Sequence, residues 1–497
     1  MRLGEHPLSR SPDLTPTVTG IAVVAALVLV VAVGMDHVAM DALSGALTLL
    51  VLVLVSVPIL LWVARKEGEP EMAPLLLWAM VAKIVFTLVR HFVITVIYAN
   101  NADAGVYSSG GAHVAENLRR GILDLSIPDL ASRGAETERI AQVVGLIYTF
   151  TGVSRYAAAF VFAFISFAGQ VLMWRAFRQA VPEGDHRRYA LLVLFLPSLL
   201  FWPSSIGKEA LMLGCIGVVS YGAAQIFRER VRVGGIVMFL SGALGLFLIR
   251  PHMALIAIVA LGVASAFGTL VGMGRSGATR RTLVRLAALV VLIGAAGVAT
   301  SGLSRFFSEG NSSDESGVTS VLERTQEQTQ TGGSEFQPPT VTTPLDLPAA
   351  VVTVLVRPFP WEAGNVNGII ASTEGLLLGG LFVCGYRRIL TWFRVAPRRP
   401  YLVFAVVYGL VFVVAFSYIA NFGILARQRT QMLPLILTMI AMYPAPRRRV
   451  SWLGFRPDRR TPVSDSEAPD CPQETRPTAP GDGSRPRPPI PVESRGR

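Results

Sequence analysis

Residues 43–63 read LSGALTLLVLVLVSVPILLWV and contain no charged side chain. An α-helix of this length covers about 30 Å, which is the thickness of the hydrocarbon core of a bilayer. Similar apolar runs recur along the 497-residue chain, of which 52% is hydrophobic and 16% is charged, with a mean hydropathy of +0.51. The sequence therefore predicts an all-α, polytopic membrane protein.

The apolar runs predict about 12 transmembrane helices. We place them at residues 18–34, 43–63, 73–98, 153–174, 189–206, 209–227, 234–249, 253–273, 286–303, 366–385, 401–420 and 431–446. The apolar segment 347–358 is too short to span a bilayer, so we interpret it as re-entrant or interfacial. The transmembrane helical domain thus covers 18–446, between an N-terminal segment, 1–17, and a Pro- and Arg-rich tail, 447–497, whose composition predicts disorder.

The distribution of basic residues predicts the orientation. With the N-terminus in the cytoplasm, the short internal loops carry 18 Lys and Arg residues and the short external loops carry 4. Positive residues favour the cytoplasmic side, so we predict a multi-pass protein of the cell (cytoplasmic) membrane with both termini cytoplasmic. The net charge of +12 then reflects orientation and contact of the tail with anionic membrane lipid, and it does not indicate a nucleic-acid partner.

This orientation leaves two large external loops. In loop 99–152, apolar residues such as Ile140, Val144 and Tyr148 recur at helical spacing, which predicts an amphipathic helix lying on the membrane. Loop 304–348 is rich in Ser, Thr, Gln and Gly and is predicted to be largely disordered.

Charged residues collect at the predicted outer ends of the helices. Any one of them is explained by an interfacial anchor whose charged head reaches the headgroups. Five cations on the outer side run against the positive-inside tendency, and together they predict an outward-facing site for phosphate or carboxylate. These cations are Lys208, Arg250, Arg357, Arg427 and Arg429.

Asp103 is the candidate catalytic residue, within the polar stretch NNADAGVY at residues 100–107. A carboxylate at the membrane surface is suited to act as general base on a sugar hydroxyl or to hold a cation, and an Asx turn that ends a helix is the structural alternative. His113 is a supporting candidate. The spacing indicates no metal site, and the cofactor question stays open, with a divalent cation allowed.

Residues 197–209, PSLLFWPSSIGKE, predict a broken helix or a tight hairpin. The dipole of the following helix disfavours a cation at Lys208, so that residue requires an anion or Glu209 as its partner. Arg427 and Arg429 lie two positions apart in a polar turn and are arranged like a phosphate clamp, although such pairs also cap loops.

Six further residues are supporting candidates. Trp361 and Glu362 follow Arg357 in RPFPWE, where the aromatic rings would form a wall for a sugar or anchor the interface. Lys83, Arg90 and His91 share one face of the third predicted helix and are expected to look into the bundle. Lys83 is alternatively a buried structural partner. His252 lies beside Arg250.

Together these residues resemble polytopic glycosyltransferases of the GT-C type and the related bacterial O-antigen or envelope polysaccharide polymerases. Those families combine many helices with an acidic residue in the first large external loop and arginines in later external loops. Asp103 in ADAGVY matches the first feature; the second is matched by Arg250, Arg357, Arg427 and Arg429. The resemblance implies a polyprenyl-phosphate-linked sugar donor at the outer face of the cytoplasmic membrane. The adjacent acidic pair common in GT-C enzymes is absent near Asp103.

Two other functional classes fit the same residues. A transporter or flippase of an anionic or lipid-linked glycan would use the cations without chemistry, and broken helices suit it. A non-enzymatic scaffold for envelope assembly, with partner proteins, is the third. Formation of a glycosidic bond separates the enzyme from the other two.

Overall fold

The computed structural model describes residues 39–98, 103–127, 130, 134–228, 232–270, 336, 343–364 and 366–444. These residues are helical, without strands, as predicted. The predicted helices 18–34 and 286–303, the N-terminal segment, most of loop 304–348 and the tail lie outside them.

The α-helices follow one another in the order of the chain. They are α1 (Ala39–Lys66), α2 (Ala73–Phe92), α3 (Asp103–Arg119), α4 (Ala135–Thr151), α5 (Arg155–Ala180), α6 (His186–Phe195), α7 (Pro197–Phe201), α8 (Lys208–Ile226), α9 (Val233–Ile249), α10 (Pro251–Leu270), α11 (Leu347–Val356), α12 (Val366–Cys384), α13 (Tyr386–Val395), α14 (Pro400–Phe416), α15 (Phe422–Gln428) and α16 (Leu433–Ile436). A π-helical turn, Val93–Ile97, extends α2.

Five helices in the described part of the chain are long and apolar enough to cross a membrane. They are Met40–Lys66, Pro70–Ile97, Arg155–Ala180, Lys208–Ile226 and Pro251–Gly268. α12 and α13 make a sixth if they are one span bent by 65°, and α9, α11 and α14 are apolar but shorter. The structure thus supports an all-α membrane protein, and twelve spans stay a prediction.

The helix termini define two ends of the bundle. Arg175 near the end of α5 contacts Glu67, directly after α1, with an Nε–Oε1 distance of 2.8 Å, and its Nη2 donates to Tyr221 of α8 over 3.2 Å. We call this the Glu67 end. At the opposite end, α1, α5 and α8 begin; because Glu209 lies in the first turn of α8, we call this the Glu209 end.

Glycines bring the backbones of α5 and α8 into direct contact. A Cβ atom added at Gly217 would lie 2.3 Å from the Gly169 Cα, and one added at Gly169 would lie 2.4 Å from the Leu213 carbonyl oxygen. Inside a membrane, helices associate through close packing of small residues because lipid supplies little hydrophobic driving force. These glycines therefore allow α5 and α8 to pack at a short distance from each other.

The predicted helix 189–206 is interrupted, and Pro197 explains the first break. An α-helical carbonyl accepts from the N–H four residues later, and proline has none, so the Val193 carbonyl loses its partner. The Gln170 side chain of α5 donates to that carbonyl over 2.8 Å. On the other side of the break, the Ser198 N–H donates to the Glu374 carboxylate over 2.7 Å.

Pro203 frees a second carbonyl, that of Leu199, in the same way. Lys83 of α2 donates its Nζ to this oxygen over 3.1 Å, and Gln170 adds a longer contact of 3.3 Å. The Pro203 carbonyl in turn accepts from the Ser166 hydroxyl over 2.9 Å. The break is therefore closed by side chains of neighbouring helices, and Lys83 looks into the bundle as predicted.

Segment 431–446 differs from the single helix that we predicted. It consists of α16 flanked by 3-10 turns at Arg429–Gln431 and Leu437–Ile440. Pro434, at the start of α16, cannot donate a backbone hydrogen bond to the preceding turn. Residues 431–442 are nevertheless almost all buried and reach the Glu67 end, where the Ile440 carbonyl accepts from Arg188.

Loop 99–152 contains two helices, α3 and α4. The predicted amphipathic helix is present as α4, but Ile140, Val144 and Tyr148 are fully buried in protein. A hydrogen bond of 2.8 Å joins the Tyr148 hydroxyl to Ser108 of α3. These three residues of α4 therefore hold the hairpin together and do not face a membrane.

Candidate functional site

Glu209 is the centre of a charged cluster at the Glu209 end. Its side chain is 7% exposed, and its Oε1 lies 2.9 Å from the Arg427 Nε and 3.7 Å from an Arg250 Nη. These residues come from α8, from the end of α9 and from α15, so the fold assembles them from distant parts of the sequence. A buried carboxylate with two arginine partners offsets the cost of desolvating each charge.

Asp103 completes the cluster on its solvent-facing side. Its carboxylate lies 3.4 Å from the Arg427 guanidinium, and its side chain is 61% exposed, against 31% for Arg427. The Glu209 charge raises the pKa of Arg427; burial opposes this and the Asp103 charge reinforces it. Arg427 thus bridges an exposed and a buried carboxylate.

Tyr107 lies one helical turn after Asp103 and is buried. Burial, followed by the charges of Asp103 and Glu209, raises the pKa of the Tyr107 phenol. The tyrosine is therefore a neutral wall of the cluster and not an additional base.

Lys208 contacts a carboxylate in the hairpin of α3 and α4. Its Nζ lies 3.6 Å from Glu136 in the first turn of α4, and Glu209, one of the two kinds of partner that the sequence allowed, contacts the arginines instead. Arg250 also donates to the amide oxygen of Gln428. The cations that we expected to form a bare positive site are each paired with a carboxylate.

Arg90 is buried at the edge of this cluster among aromatic rings. Its guanidinium carbon lies 4.7 Å from the ring centre of Phe201 and 4.8 Å from that of Trp202. Cation–π contacts of this kind stabilise a charge that has left water. Its Nε and Nη1 atoms have no hydrogen-bond partner in the described part of the chain.

A small cleft of about 20 Å³ adjoins the cluster. It is bordered by Ala104 and Gly105, directly after Asp103, by Ser204–Ile206, just before Lys208, and by His91. A volume of this size holds one or two water molecules. The cleft is therefore too small to enclose a ligand much larger than water.

Arg429 does not join Arg427 in a clamp. It is fully buried and points to Glu374 of α12 at 3.2 Å, with longer contacts to the carbonyls of Leu355 and Arg357. Because Glu374 also accepts from Ser198 at the helix break, Arg429 belongs to the packing of the bundle.

Arg357 forms a separate pair with Glu362, whose Oε1 and Oε2 lie 3.0 and 3.1 Å from its Nε. The guanidinium carbon also lies 4.7 Å from the ring centre of Phe336 and 5.3 Å from that of Phe422, and those rings stack on each other. Trp361 is 79% exposed and stacks on Phe359. Trp361 is thus the exposed ring of this group, whereas Phe422 is 5% exposed, and a wall for a sugar or an interfacial anchor stays a prediction.

The candidate histidines are dispersed. His91 packs on the ring of Tyr156 at 4.0 Å and borders the cleft. His113 is exposed on α3, and His252 packs 5.8 Å from the ring centre of Phe416. The structure thus brings together Asp103, Lys208, Glu209, Arg250, Arg427 and, at the edge, Arg90; it leaves the other candidates apart.

Sequence reasoning missed Glu136, Gln170, Glu374 and Tyr107. Glu136 had a usable signal, since an acidic residue at a helix start opposite a predicted cationic site is a natural partner. Gln170 and Glu374 bind backbone atoms freed by proline, and only the packing of the helices reveals those pairings.

The described residues contain no group of three or more His, Cys, Asp and Glu side chains arranged to hold a metal ion. Comparison of the chain with protein-family models, curated proteins and solved structures finds no match.

Proposed function

We propose that this protein is a membrane glycosyltransferase or polysaccharide polymerase that uses a polyprenyl-phosphate-linked sugar donor at the outer face of the cytoplasmic membrane. The observation that carries the proposal is the meeting of exposed Asp103 with Arg427, backed by Arg250 and Lys208, at one end of an apolar helical bundle. A lipid-linked donor needs such a place, because its phosphate lies at the headgroup level while its tail stays in the membrane.

The cluster supplies the groups that glycosyl transfer requires. The Asp103 carboxylate accepts the proton of the acceptor hydroxyl while that oxygen bonds to the anomeric carbon of the donor sugar. The bond between that carbon and the donor phosphate oxygen breaks, and the electron pair leaves with the lipid phosphate. Arg427, with Lys208 beside it, stabilises the negative charge that develops there.

The ion pairs determine how the phosphate enters. Glu136 is 38% exposed, so a phosphate replaces it beside Lys208 at little cost. Glu209 stays in place beneath, because removal of a buried partner would leave two arginines uncompensated. The exposed pairs are then exchangeable, and the buried pairs hold the site in shape.

The helix break favours the enzyme over the transporter. Transporters use broken helices because unwound backbone binds the substrate or ion. Here Gln170, Lys83 and Glu374 already bind the groups at the break. A transporter that exposes these backbone groups to its substrate would first have to displace the three side chains.

The test uses the purified full chain in lipid with extracted polyprenyl-linked saccharides. Asp103→Asn and Arg427→Ala should lower transfer at least a hundredfold, the range typical of a general base or a charge-stabilising group. Asp124→Asn is the matched control, because this carboxylate lies in the same hairpin and, among the described residues, accepts hydrogen bonds from Ser126 alone.

The outcomes separate the three functional classes. New glycosidic bonds that depend on Asp103 and Arg427, but not on Asp124, support the proposal. Movement of the intact lipid-linked glycan across the bilayer without bond formation selects a transporter or flippase. A folded protein that does neither, and tolerates both substitutions, is a scaffold.

A further inference from the structure

α13 leaves the bundle at a sharp angle directly after α12. The two helices are bent by 65°, and Gly385 lies between them. A Cβ atom added at Gly385 would lie 2.7 Å from the Leu381 carbonyl oxygen and 2.9 Å from Ile440. Glycine is thus required at the bend, which fixes the direction of α13.

α13 and the following turn, Ala396–Arg398, have an apolar face that no described residue covers. The side chains of Tyr386, Leu390 and Phe393 are 59%, 50% and 58% exposed. At about 100° per residue they form one stripe roughly 60° wide. The opposite side holds Trp392, which is 2% exposed and faces the protein.

A second stripe beside the apolar one is basic. Arg387 and Arg394 lie at positions i and i+7 of α13, which places them about 90° around the helix from the apolar stripe, and Arg398 follows in the turn Ala396–Arg398. Arg394 and Arg398 are exposed. Arg388 instead forms an ion pair with Asp185, with an Nη1–Oδ2 distance of 2.9 Å, and so contributes to contacts within the bundle.

This combination fits the surface of a membrane. An amphipathic helix with arginines beside an aromatic and aliphatic stripe lies in the interface, with the apolar side chains in the acyl boundary and the guanidinium groups at the phosphates. The alternative, a continuation of α12 through the bilayer, would place three arginines of one ten-residue helix in hydrocarbon, which is strongly unfavourable.

We propose that α13 lies in the membrane interface and that Arg394 and Arg398 bind the phosphate groups of anionic phospholipids. This site is separate from the charged cluster around Glu209, and it does not depend on glycosyl transfer. It gives the Glu67 end a preference for anionic lipid.

The test places a fluorophore on Leu390→Cys in a full chain whose other three cysteines, Cys215, Cys384 and Cys471, are replaced by serine. The protein is reconstituted in bilayers that contain equal fractions of brominated phosphatidylglycerol or brominated phosphatidylcholine. Brominated lipid quenches a fluorophore only at short range, so the measurement reports the lipids beside α13.

We expect phosphatidylglycerol to quench more strongly than phosphatidylcholine. Arg394→Gln together with Arg398→Gln should reduce the local enrichment of phosphatidylglycerol about thirtyfold, because each arginine near the surface contributes about fivefold. Arg119→Gln with Arg120→Gln, which removes the same charge from the exposed end of α3, should leave the enrichment unchanged.

Equal quenching by the two lipids in the wild type would overturn the proposed headgroup preference. An absence of quenching by either lipid would show that α13 lies away from the membrane. Loss of the preference on addition of inorganic phosphate would assign the basic stripe to a free anion and overturn the assignment to lipid.

Discussion

At the residue scale, Glu209 determines the arrangement of the charged cluster. It is the least exposed of its charged members, and it holds Arg250 and Arg427 in place while Asp103 stays accessible. The accessible carboxylate is suited to chemistry and the buried one to positioning. The two acids therefore differ in burial, although both lie at a helix start.

Glu209→Gln should destabilise the protein strongly. Removal of one partner from a buried ion pair costs about 3–5 kcal/mol, and the partial exposure of Arg427 places the expected loss near the lower value. Thermal unfolding in detergent measures the effect. Glu136→Gln, which breaks an exposed pair, is the control and should cost less than about 1 kcal/mol.

A double-mutant cycle with Arg250→Gln completes this experiment. The double variant should recover part of the stability lost in Glu209→Gln, because one uncompensated cation is then removed with its partner. Strict additivity of the two changes would contradict the pairing.

The Arg357–Glu362 pair predicts a local dependence on pH. Burial alone would raise the pKa of Glu362, but hydrogen bonds from Arg357 and from the Phe359 N–H outweigh it, and the pKa is lowered. The stabilisation is therefore complete above the unfolded pKa of about 4.3 and is lost as the pH falls through the lowered folded value.

Hydrogen exchange of residues 357–364 at a series of pH values measures this effect, after correction for intrinsic exchange. Acidification below about pH 4.3 should reduce protection about two- to fivefold, as expected for a partly exposed ion pair. Glu362→Gln should have the reduced protection at every pH. Parallel pH profiles of the variant and the wild type would refute the assignment.

At the element scale, the break at Pro197 depends on donors from another helix. Gln170→Leu removes the partner of the Val193 carbonyl and should lower stability by about 1–3 kcal/mol, the cost of an unsatisfied buried polar group. Pro197→Ala restores an N–H that can serve this carbonyl. Gln170→Leu should therefore cost less when it is combined with Pro197→Ala.

Thermal unfolding of the four combinations measures the coupling between these two positions. Gln142→Leu removes an exposed donor and controls for the change of residue type. If Gln170→Leu lowers stability equally with and without Pro197→Ala, then the need for the Gln170 donor does not arise from Pro197.

The sequence predicted the elements better than their interruptions. Apolar runs such as 43–63 are read directly from composition, and the structure has a helix there. The interruption of 189–206 was visible in its prolines, but the side chains that close it come from α2, α5 and α12. Such pairings depend on helix packing, which no local pattern encodes.

At the scale of the whole molecule, the sequence predicted which kinds of residue form the candidate site but only some of the contacts between them. Asp103, Arg250 and Arg427 were expected on one side and do meet. Arg357 and Arg429 were expected with them and instead bind Glu362 and Glu374. An excess of cations on one side predicts that anions are near, but it does not tell whether those anions are ligands or the protein's own carboxylates.

The proposed chemistry requires that the Glu209 end face outward, and labelling of single cysteines measures this. In a cysteine-free chain, Leu123→Cys, which lies between α3 and α4 and is 90% exposed, should react with an impermeant maleimide on intact cells. Glu71→Cys, in the exposed turn Pro70–Met72 at the opposite end, should react only after permeabilisation. The reverse pattern would place Asp103 in the cytoplasm. It would contradict both the positive-inside prediction and a donor at the outer face, while the ion-pair architecture of the cluster would stand.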